Sequence, residues 1–258
     1  MITIGKRICF AVLVFGFIPH QTAAAGNISK PPDPIRSLSA QEAAAGILTR
    51  ETQTTPPRSR RANFDGEAKS QEAQNVADWV VDSGDNQGLP FVIVDKVAAK
   101  VFVFDADGRL RGAAPALLGL ARGDKSIHGI GERQLSDIRP EERTTPAGRF
   151  LASLGYNSRG KDVLWVDYDS AVSLHRVITN NPVERRLQRL STRTPLDNRI
   201  SYGCINVPVK FYDHVVIPTF TRTHGIVYVL PEILSNSEVF ALYYDVEAPG
   251  KGLLGGFN

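Results

Sequence analysis

The amino-acid sequence predicts a mainly β domain with a few short helices, preceded by a long segment that does not join the core. Three observations support this prediction: several short runs rich in β-branched and aromatic residues, turn residues between those runs, and few long helical patterns. The 258 residues, 42% of them hydrophobic, are enough to bury a sizeable core. Composition excludes collagen-like, coiled-coil and multi-span membrane proteins.

Residues 1–25 have the pattern of a secretory signal peptide. Lys6 and Arg7 precede an apolar run over residues 8–18, and the segment ends in three alanines at 23–25. The apolar run is shorter than the roughly 20 residues needed to cross a bilayer. We therefore expect cleavage after Ala25, export to the periplasm and no membrane span in the mature chain.

Cleavage there changes both the charge and the cysteine count. It removes two of the 30 basic residues and none of the 27 acidic ones, so the mature chain is close to neutral. A near-neutral chain has no basic field that would suggest a nucleic-acid partner. Cleavage also removes Cys9 and leaves Cys204 alone, so the mature chain has no internal disulfide. The Cys204 thiol is then either inert core filling or reactive.

A disordered linker is predicted over residues 26–70, because Pro, Ser, Thr and Arg dominate and bulky apolar residues are few. A capping-box pattern within it indicates one short helix over residues 39–48. The segment at residues 71–88, which leads into the domain, is predicted to form a stronger helix that stops at Gly84. Its apolar residues recur at helical spacing from Ala73 to Val81, and Gly84 provides a stop.

The β domain is predicted over residues 89–232, followed by a C-terminal extension over 233–258. The strand candidates are residues 91–96, 100–105, 149–154, 163–167, 173–178 and 226–230. Asp107 and Gly108 supply a tight turn after the second of these runs. Two helices are expected within the domain, over residues 184–190 and 209–217.

The densest chemical signal is the segment that surrounds Cys204. A thiolate is the nucleophilic form of cysteine, so a working cysteine needs a nearby base. Gly203 allows a tight turn and a close approach of substrate, and the amide N–H groups of such a turn can bind an oxyanion. Ser201 and Asn206 add polar groups that can orient either partner.

Four histidines remain after cleavage: His128, His175, His214 and His224. His175 ends an alternating, strand-like run that would fix its imidazole, and on position alone it leads His128 only modestly. These histidines and Cys204 form no compact ligand pair, which argues against a zinc site. Nor does a Gly-rich phosphate loop occur in strand-then-helix context.

Two motifs resemble those of the L,D-transpeptidases, cell-wall enzymes with the YkuD-type catalytic domain. Ser201-Tyr202-Gly203-Cys204-Ile205-Asn206 resembles the Ser/Thr-x-Gly-Cys-aliphatic-Asn/Arg signature of that family. Thr145-Pro146-Ala147-Gly148-Arg149-Phe150 is similar to its Thr-Pro-x-Gly-x-Phe segment, which precedes the catalytic histidine. The resemblance spans about residues 91–230, and His175 alone lies between the two motifs.

The resemblance implies a β-sandwich or barrel-like fold and a mechanism. Cys204 would attack the L-centre carbonyl of a peptidoglycan tetrapeptide stem, with His175 as the base and a backbone carbonyl orienting that histidine. The thioester would pass to an amine of a second stem and form a 3→3 cross-link. No metal or organic cofactor is implied.

Further site residues follow from the same resemblance. Ser201, Tyr202 and Gly203 would shape the oxyanion site, and Arg176, Arg199 and Asn206 are expected to contact carboxylates of the stem. Two features depart from the family pattern. Tyr202 stands where many members carry a second histidine, and residues 180–198 form an insertion, either a lid over the site or a solvated helix.

Several alternatives stay open at this stage. The acyl acceptor is a second stem, a lipoprotein lysine, a free D-amino acid or water, and water would make the protein an L,D-carboxypeptidase. A cysteine peptidase of another fold is a weaker reading, because the caspase Gln-Ala-Cys signature is absent. A periplasmic wall-binding protein that keeps the fold without the chemistry is the rival from another class.

Overall fold

β-Branched and aromatic residues form the strands of the domain, as their preference for a pleated surface predicts. The computed structural model describes residues 59–247, which lie within one compact unit, Thr55–Asn258. The strands are β1 Phe91–Asp95, β2 Lys100–Phe104, β3 Leu110–Pro115, β4 Leu118–Gly119, β5 Gly148–Tyr156, β6 Asp162–Asp167, β7 Val172–Arg176, β8 Arg199–Ser201, β9 Ile205–Val207 and β10 Gly225–Val229. The predicted signal peptide and the helix at 39–48 lie outside the described residues.

Eight of these strands form one curled sheet in the order β3-β2-β1-β10-β5-β6-β7-β9. Pairing is antiparallel except between β1 and β10 and between β7 and β9. Leu117, just beyond β3, forms an antiparallel bridge with Asn206 of β9, so the two ends of the sheet approach each other. The short β4–β8 pair is a separate parallel ladder. The predicted mainly β, barrel-like architecture is confirmed.

The curled sheet has an inner face and an outer face. The inner face encloses one apolar cluster that includes Val101, Leu164, Leu174 and Ile205. A second cluster lies on the outer face of β1, β2 and β10, where α1, Gln71–Ser83, covers it. Because side chains alternate along a strand, the residues flanking Leu174 in β7 point to the outer face.

Helices are short apart from α1. Ser70 caps its N-terminus by accepting from the Ala73 N–H, and left-handed Gly84 caps its C-terminus. The others are α2 Arg186–Ser191, α3 Val209–Phe211, α4 Ile217–Phe220 and α5 Asn236–Val239. A widened π-helical turn, Tyr212–Val216, joins α3 to α4, so the helix predicted to end at residue 217 continues to Phe220. Single turns of 3-10 helix occur at 130–132, 135–137, 140–142 and 182–184.

Residues 59–70, predicted from composition to be the end of the disordered linker, instead pack on the domain. The Asn63 N–H donates to the Gly108 carbonyl at 2.8 Å, and the Phe64 ring meets Phe102 and Phe104 edge-on. One buried phenylalanine in a polar stretch was too weak a signal to mark this boundary. The C-terminal extension also packs, because Phe240 stacks on Trp79 of α1.

No helix among the described residues has the length and apolar character needed to span a membrane. Over the same residues, no group of three or more His, Cys, Asp or Glu side chains is placed to hold a metal ion.

Candidate active site

Cys204 lies in a tight turn between β8 and β9, at the edge of the outer face. Gly203 adopts a φ of 134°, which side chains rarely tolerate. A Cβ at Gly203 would also lie 2.9 Å from the Thr144 carbonyl oxygen. Glycine before the cysteine is therefore required by the backbone, and it brings the turn against the segment at residues 144–145.

Two hydroxyl groups hold this turn. Ser201 Oγ donates to the Cys204 carbonyl at 2.6 Å and accepts from the Gly203 N–H at 3.1 Å. Thr145 Oγ1 donates to the Gly203 carbonyl at 2.8 Å and accepts from the Gly119 N–H at 2.9 Å. Thr145 is fully buried, so both bonds form away from water. The Thr-Pro-x-Gly segment thus positions the cysteine turn directly.

The oxyanion expectation needs one correction. The Gly203 N–H already donates to Ser201 Oγ, so it is not free to bind a ligand. The Cys204 N–H donates to no other group in the described chain. An oxyanion at this turn would therefore be bound by the Cys204 amide.

His175 reaches Cys204 because β7 and β9 are parallel neighbours. His175 is paired with Asn206 in that ladder, and Leu174 between Ser173 and His175 points into the inner core. Ser173 and His175 therefore share the outer face. Ser173 Oγ lies 3.8 Å from Cys204 Sγ.

A backbone carbonyl orients the histidine ring. His175 Nδ1 lies 2.7 Å from the Arg176 carbonyl oxygen. A carbonyl only accepts, so Nδ1 carries a proton and Nε2 is the nitrogen left to exchange a proton with the thiol. The expected backbone partner of the base is thus the carbonyl of the next residue.

The pKa values of the two groups move toward each other. Burial alone would raise the pKa of the Cys204 thiol, but hydrogen bonding and the charge of His175, together with Ser173, hold that pKa below its ordinary value. Burial would lower the pKa of His175, yet the hydrogen bond to Cys204 and its charge raise that pKa above the ordinary value. These opposite shifts favour a thiolate paired with an imidazolium.

The other histidines among the described residues are exposed, and none of them shifts the pKa of Cys204. His128 lies in the loop before the 3-10 turn at 130–132, His214 lies in the π-helical turn, and His224 precedes β10. The choice of His175 over His128 therefore agrees with the geometry.

Tyr202 lies beside the nucleophile in contact with a cation. The Arg143 guanidinium carbon is 3.9 Å from the centroid of the Tyr202 ring, a cation–π distance. The Arg143 side chain also donates to the Ile138 carbonyl, which ties the loop at 130–142 to this side of the site.

The three residues expected to contact substrate carboxylates are used within the protein instead. Arg176 is paired with Asp162 at 2.9 Å and with Asp213 at 2.6 Å. Arg199 is paired with Glu232 at 2.7 Å and donates to a backbone carbonyl. These two cations are neutralised by carboxylates that are distant in sequence, so the expectation is corrected for both.

Asn206 is 1% exposed and has no open face toward a ligand. Its amide nitrogen donates to the Cys204 carbonyl at 3.2 Å, and its Oδ1 accepts from Arg186 Nη1 at 2.8 Å. Asn206 is therefore a positioning residue that links the cysteine turn to the insertion.

The insertion at 180–198 packs beside the site. Leu190 of α2 forms a small buried cluster with Leu117 and Val177, which anchors the helix to the sheet. Arg186 at the start of α2 bonds Asn206 and pairs with Glu184, and its charge opposes protonation of His175. The helix is thus part of the wall of the site rather than a freely solvated one.

A cleft of about 550 Å³ opens next to His175, between the β5–β6 turn and the residues that follow β7. Exposed Arg159 and Lys161 line it, and their side chains form no ion pair within the described residues. Val163 and Ile178 supply apolar wall. These are the cations that sequence reasoning missed, because nothing in the local sequence distinguishes them from solvated turn residues. Ser173 was also missed, although its spacing of two from His175 places both on one face.

No protein-family model matches the chain, and no curated protein matches it. Solved structures similar to it include L,D-transpeptidases. An L,D-transpeptidase from Xylanimonas cellulosilytica is 15% identical, with a TM-score of 0.33, over 55% of this chain and 60% of that one. One from Mycobacterium smegmatis is 14% identical, with a TM-score of 0.31, over 54% and 58%.

The helical cell shape determining protein Pgp2 from Campylobacter jejuni is 16% identical, with a TM-score of 0.35, over 57% of this chain and 49% of that one. The chain thus spans between 49% and 60% of the lengths of these three solved chains.

Proposed function

We propose that the protein is an exported cysteine acyltransferase, an L,D-transpeptidase that acts on tetrapeptide stems of peptidoglycan in the periplasm. The observation that carries the proposal is that the β7–β9 pairing places His175 beside the cysteine turn, on the face where Ser173 contacts Cys204. The pKa values of His175 and Cys204, shifted in opposite directions, support it. The two sequence motifs specify the substrate class, and the N-terminal pattern specifies the compartment.

The first half-reaction begins with proton transfer from Cys204 Sγ to His175 Nε2. The thiolate attacks the carbonyl of the L-centre of the stem, and the Cys204 N–H supports the oxyanion. The carbon–nitrogen bond to the terminal D-alanine breaks as His175 returns its proton to the leaving amine. A thioester on Cys204 and free D-alanine result.

In the second half-reaction an amine of another stem attacks the thioester. His175 takes a proton from that amine, the carbon–sulfur bond breaks, and the Cys204 thiolate is regenerated. Arg159 and Lys161 are suited to bind stem carboxylates, because they are cations without an ion-pair partner among the described residues and they line the cleft that His175 borders.

Incubation of the mature chain with purified tetrapeptide muropeptides, followed by mass spectrometry, tests the proposal. A cross-linked dimer with loss of D-alanine supports it, provided that Cys204→Ala and His175→Ala abolish the product. His214→Ala is the matched control, since His214 is exposed and lies in another element.

Loss of D-alanine without a dimer would assign the carboxypeptidase reaction. Transfer to a lipoprotein lysine or to a free D-amino acid, when these are supplied, would assign those acceptors. Absence of product and of any acylated Cys204 would overturn the proposal and favour a wall-binding protein without chemistry.

A further inference from the structure

Two aromatic rings stack on the outer face of the sheet, beside the candidate site. Trp165 lies on β6 and Tyr168 lies in the turn that follows it, with ring centroids 4.8 Å apart and ring planes 23° apart. Tyr168 is 62% exposed, and Trp165 is half-buried. The pair, called here the Trp165–Tyr168 platform, therefore presents aromatic surface to solvent.

The platform shares its face with the nucleophile. Trp165 is the cross-strand partner of Ser173, whose Oγ lies 3.8 Å from Cys204 Sγ. Leu164 and Val166, on either side of Trp165, belong to the inner core. Cys204 Sγ also lies 3.7 Å from the Ala171 carbonyl, in the same turn as Tyr168. The platform is thus continuous with the reacting group.

The neighbouring strand is shaped to fit the indole ring. A Cβ at Gly155 of β5 would lie 2.9 Å from Trp165 Cδ1 and 3.2 Å from its Nε1. Any larger residue at 155 would displace the ring. The indole Nε1–H of Trp165 donates no hydrogen bond within the described residues, so the platform pairs an aromatic face with a donor that has no partner there.

These features match a sugar ring that bears an acetamido group. One face of a pyranose is made of C–H groups, whose partial positive charge suits the negative face of an aromatic ring. The acetamido carbonyl is an acceptor for an N–H donor. A peptide alone would use the donor but would leave the exposed ring face of Tyr168 without a flat partner.

We propose that the Trp165–Tyr168 platform is a binding site for an N-acetylated sugar of the peptidoglycan strand that carries the donor stem. This inference rests on the proposed function, because it assigns a further part of the same substrate.

Distances on the substrate and on the protein agree. Trp165 on β6 and Cys204 at the start of β9 are separated by two strand spacings, about 10 Å at about 4.8 Å each. Three stem residues separate the sugar from the reacting carbonyl, and three extended residues span roughly 10 Å. A stem bound with its carbonyl at Cys204 thus places its sugar over the platform.

The test uses the Cys204→Ala protein, which binds without turnover, and two ligands: a disaccharide tetrapeptide and the same tetrapeptide without sugars. Calorimetry gives both Kd values. Tryptophan fluorescence reports the location, because Trp79, the other tryptophan of the chain, is 1% exposed. The variants are Tyr168→Ala and a control, Tyr156→Ala, which removes an exposed tyrosine from the end of β5.

We expect the sugar-bearing ligand to bind more tightly and to change the Trp165 emission. Tyr168→Ala should weaken its binding about three- to tenfold, the size of one aromatic stacking contact, and Tyr156→Ala should not. The Kd of the sugar-free tetrapeptide should be the same in both variants. Equal affinity for the two ligands, or no effect of Tyr168→Ala, would overturn the inference.

The proposed function is tested separately, by acylation of Cys204 in the wild-type chain with either ligand. If Cys204 is acylated but the two ligands bind equally well, the proposed reaction is supported and the sugar site is refuted. If the sugar-bearing ligand binds more tightly, this preference is lost in Tyr168→Ala, and Cys204 is never acylated, the sugar site is supported and the proposed reaction is refuted.

Discussion

The molecule contains two unusual groups of polar side chains, one closed and one open. The Lys96 cluster consists of Lys96, Asp124, Arg199 and Glu232, all buried or nearly so. Lys96 Nζ is 2.7 Å from Asp124 and 3.7 Å from Glu232, and Arg199 pairs with Glu232 at 2.7 Å. Each ionised group there has a partner of opposite charge.

The site of Cys204 and His175 differs in that respect. Its two groups are half-buried, His175 borders a cleft, and no carboxylate among the described residues pairs with His175. A shifted pKa therefore has different meanings in the two places. In the Lys96 cluster, burial lowers the pKa of Lys96, although the carboxylates of Asp124 and Glu232 act to raise it. The ion pair of Lys96 and Asp124 holds loops together. At Cys204 the shift leaves a nucleophile that a ligand can reach.

The largest expected effect lies at the open site. Replacing His175 by Gln removes the base while keeping a polar side chain of similar reach. Acylation of Cys204 by a tetrapeptide stem should slow by about 10²–10⁴-fold, the usual contribution of a general base. Single-turnover mass spectrometry of the intact protein measures this rate. His214→Gln serves as the control. An equal loss of acylation rate in that variant would mean that the effect of His175→Gln does not arise from the contact of His175 with Cys204.

The next effect lies at the closed cluster and concerns stability. Lys96→Met leaves Asp124 buried without its cation, which should lower the free energy of unfolding by about 3–5 kcal/mol. Urea unfolding measures it. At a temperature where the variant is folded, the pH dependence of Cys204 alkylation should match the wild type. A changed thiol pKa in that variant would show that the Lys96 cluster and the Cys204 site are coupled.

Acid should act on the closed cluster as well. Burial alone raises the pKa of Asp124, but hydrogen bonds from Lys96 and from the backbone N–H groups of residues 232–234 hold it at about 2. An unfolded aspartate titrates at about 3.9, so the ionised carboxylate stabilises the folded state above that pH. About 2 kcal/mol should be lost as pH falls from about 4 to about 2.

Free energies of unfolding measured across that pH range check this expectation. In Asp124→Asn the same range should show a shallower loss, because the titrating group is gone. A wild-type curve as flat as that of the variant would contradict the assignment.

The smallest expected effect is in the cleft. Replacing Arg159 and Lys161 together by Gln should raise KM for the stem about three- to tenfold, since exposed charges contribute little each. The alkylation rate of Cys204 should not change, because neither side chain contacts the pair. Steady-state kinetics with muropeptides measures KM. Equal loss of kcat would place these residues in the chemical step instead.

Much of the fold followed from local sequence pattern. Residues 91–96 and 100–105 alternate or run apolar between turns, and they form β1 and β2 within a residue of the prediction. The short strands β4, β8 and β9 were not predicted, because two or three residues carry no periodic signal. They depend on tertiary pairing, such as the bridge between Leu117 and Asn206.

The candidate site divides in the same way. Gly203 and Cys204 were found because the chemistry requires them next to each other in sequence. The roles of Arg176 and Arg199 were misjudged because their partners, Asp162, Asp213 and Glu232, are brought close only by folding. The sequence around an arginine does not show whether a carboxylate neutralises it, because that partner is brought close only in the folded chain.

The pH dependence of Cys204 alkylation distinguishes a thiol activated by His175 from a structural one. Because His175 lowers the pKa of the thiol, iodoacetamide should react with an apparent pKa below the roughly 8.5 of a free cysteine. In His175→Gln that value should rise toward or above 8.5. A wild-type thiol that titrates at or above 8.5, with no change in the variant, would contradict the account and make Cys204 a structural residue.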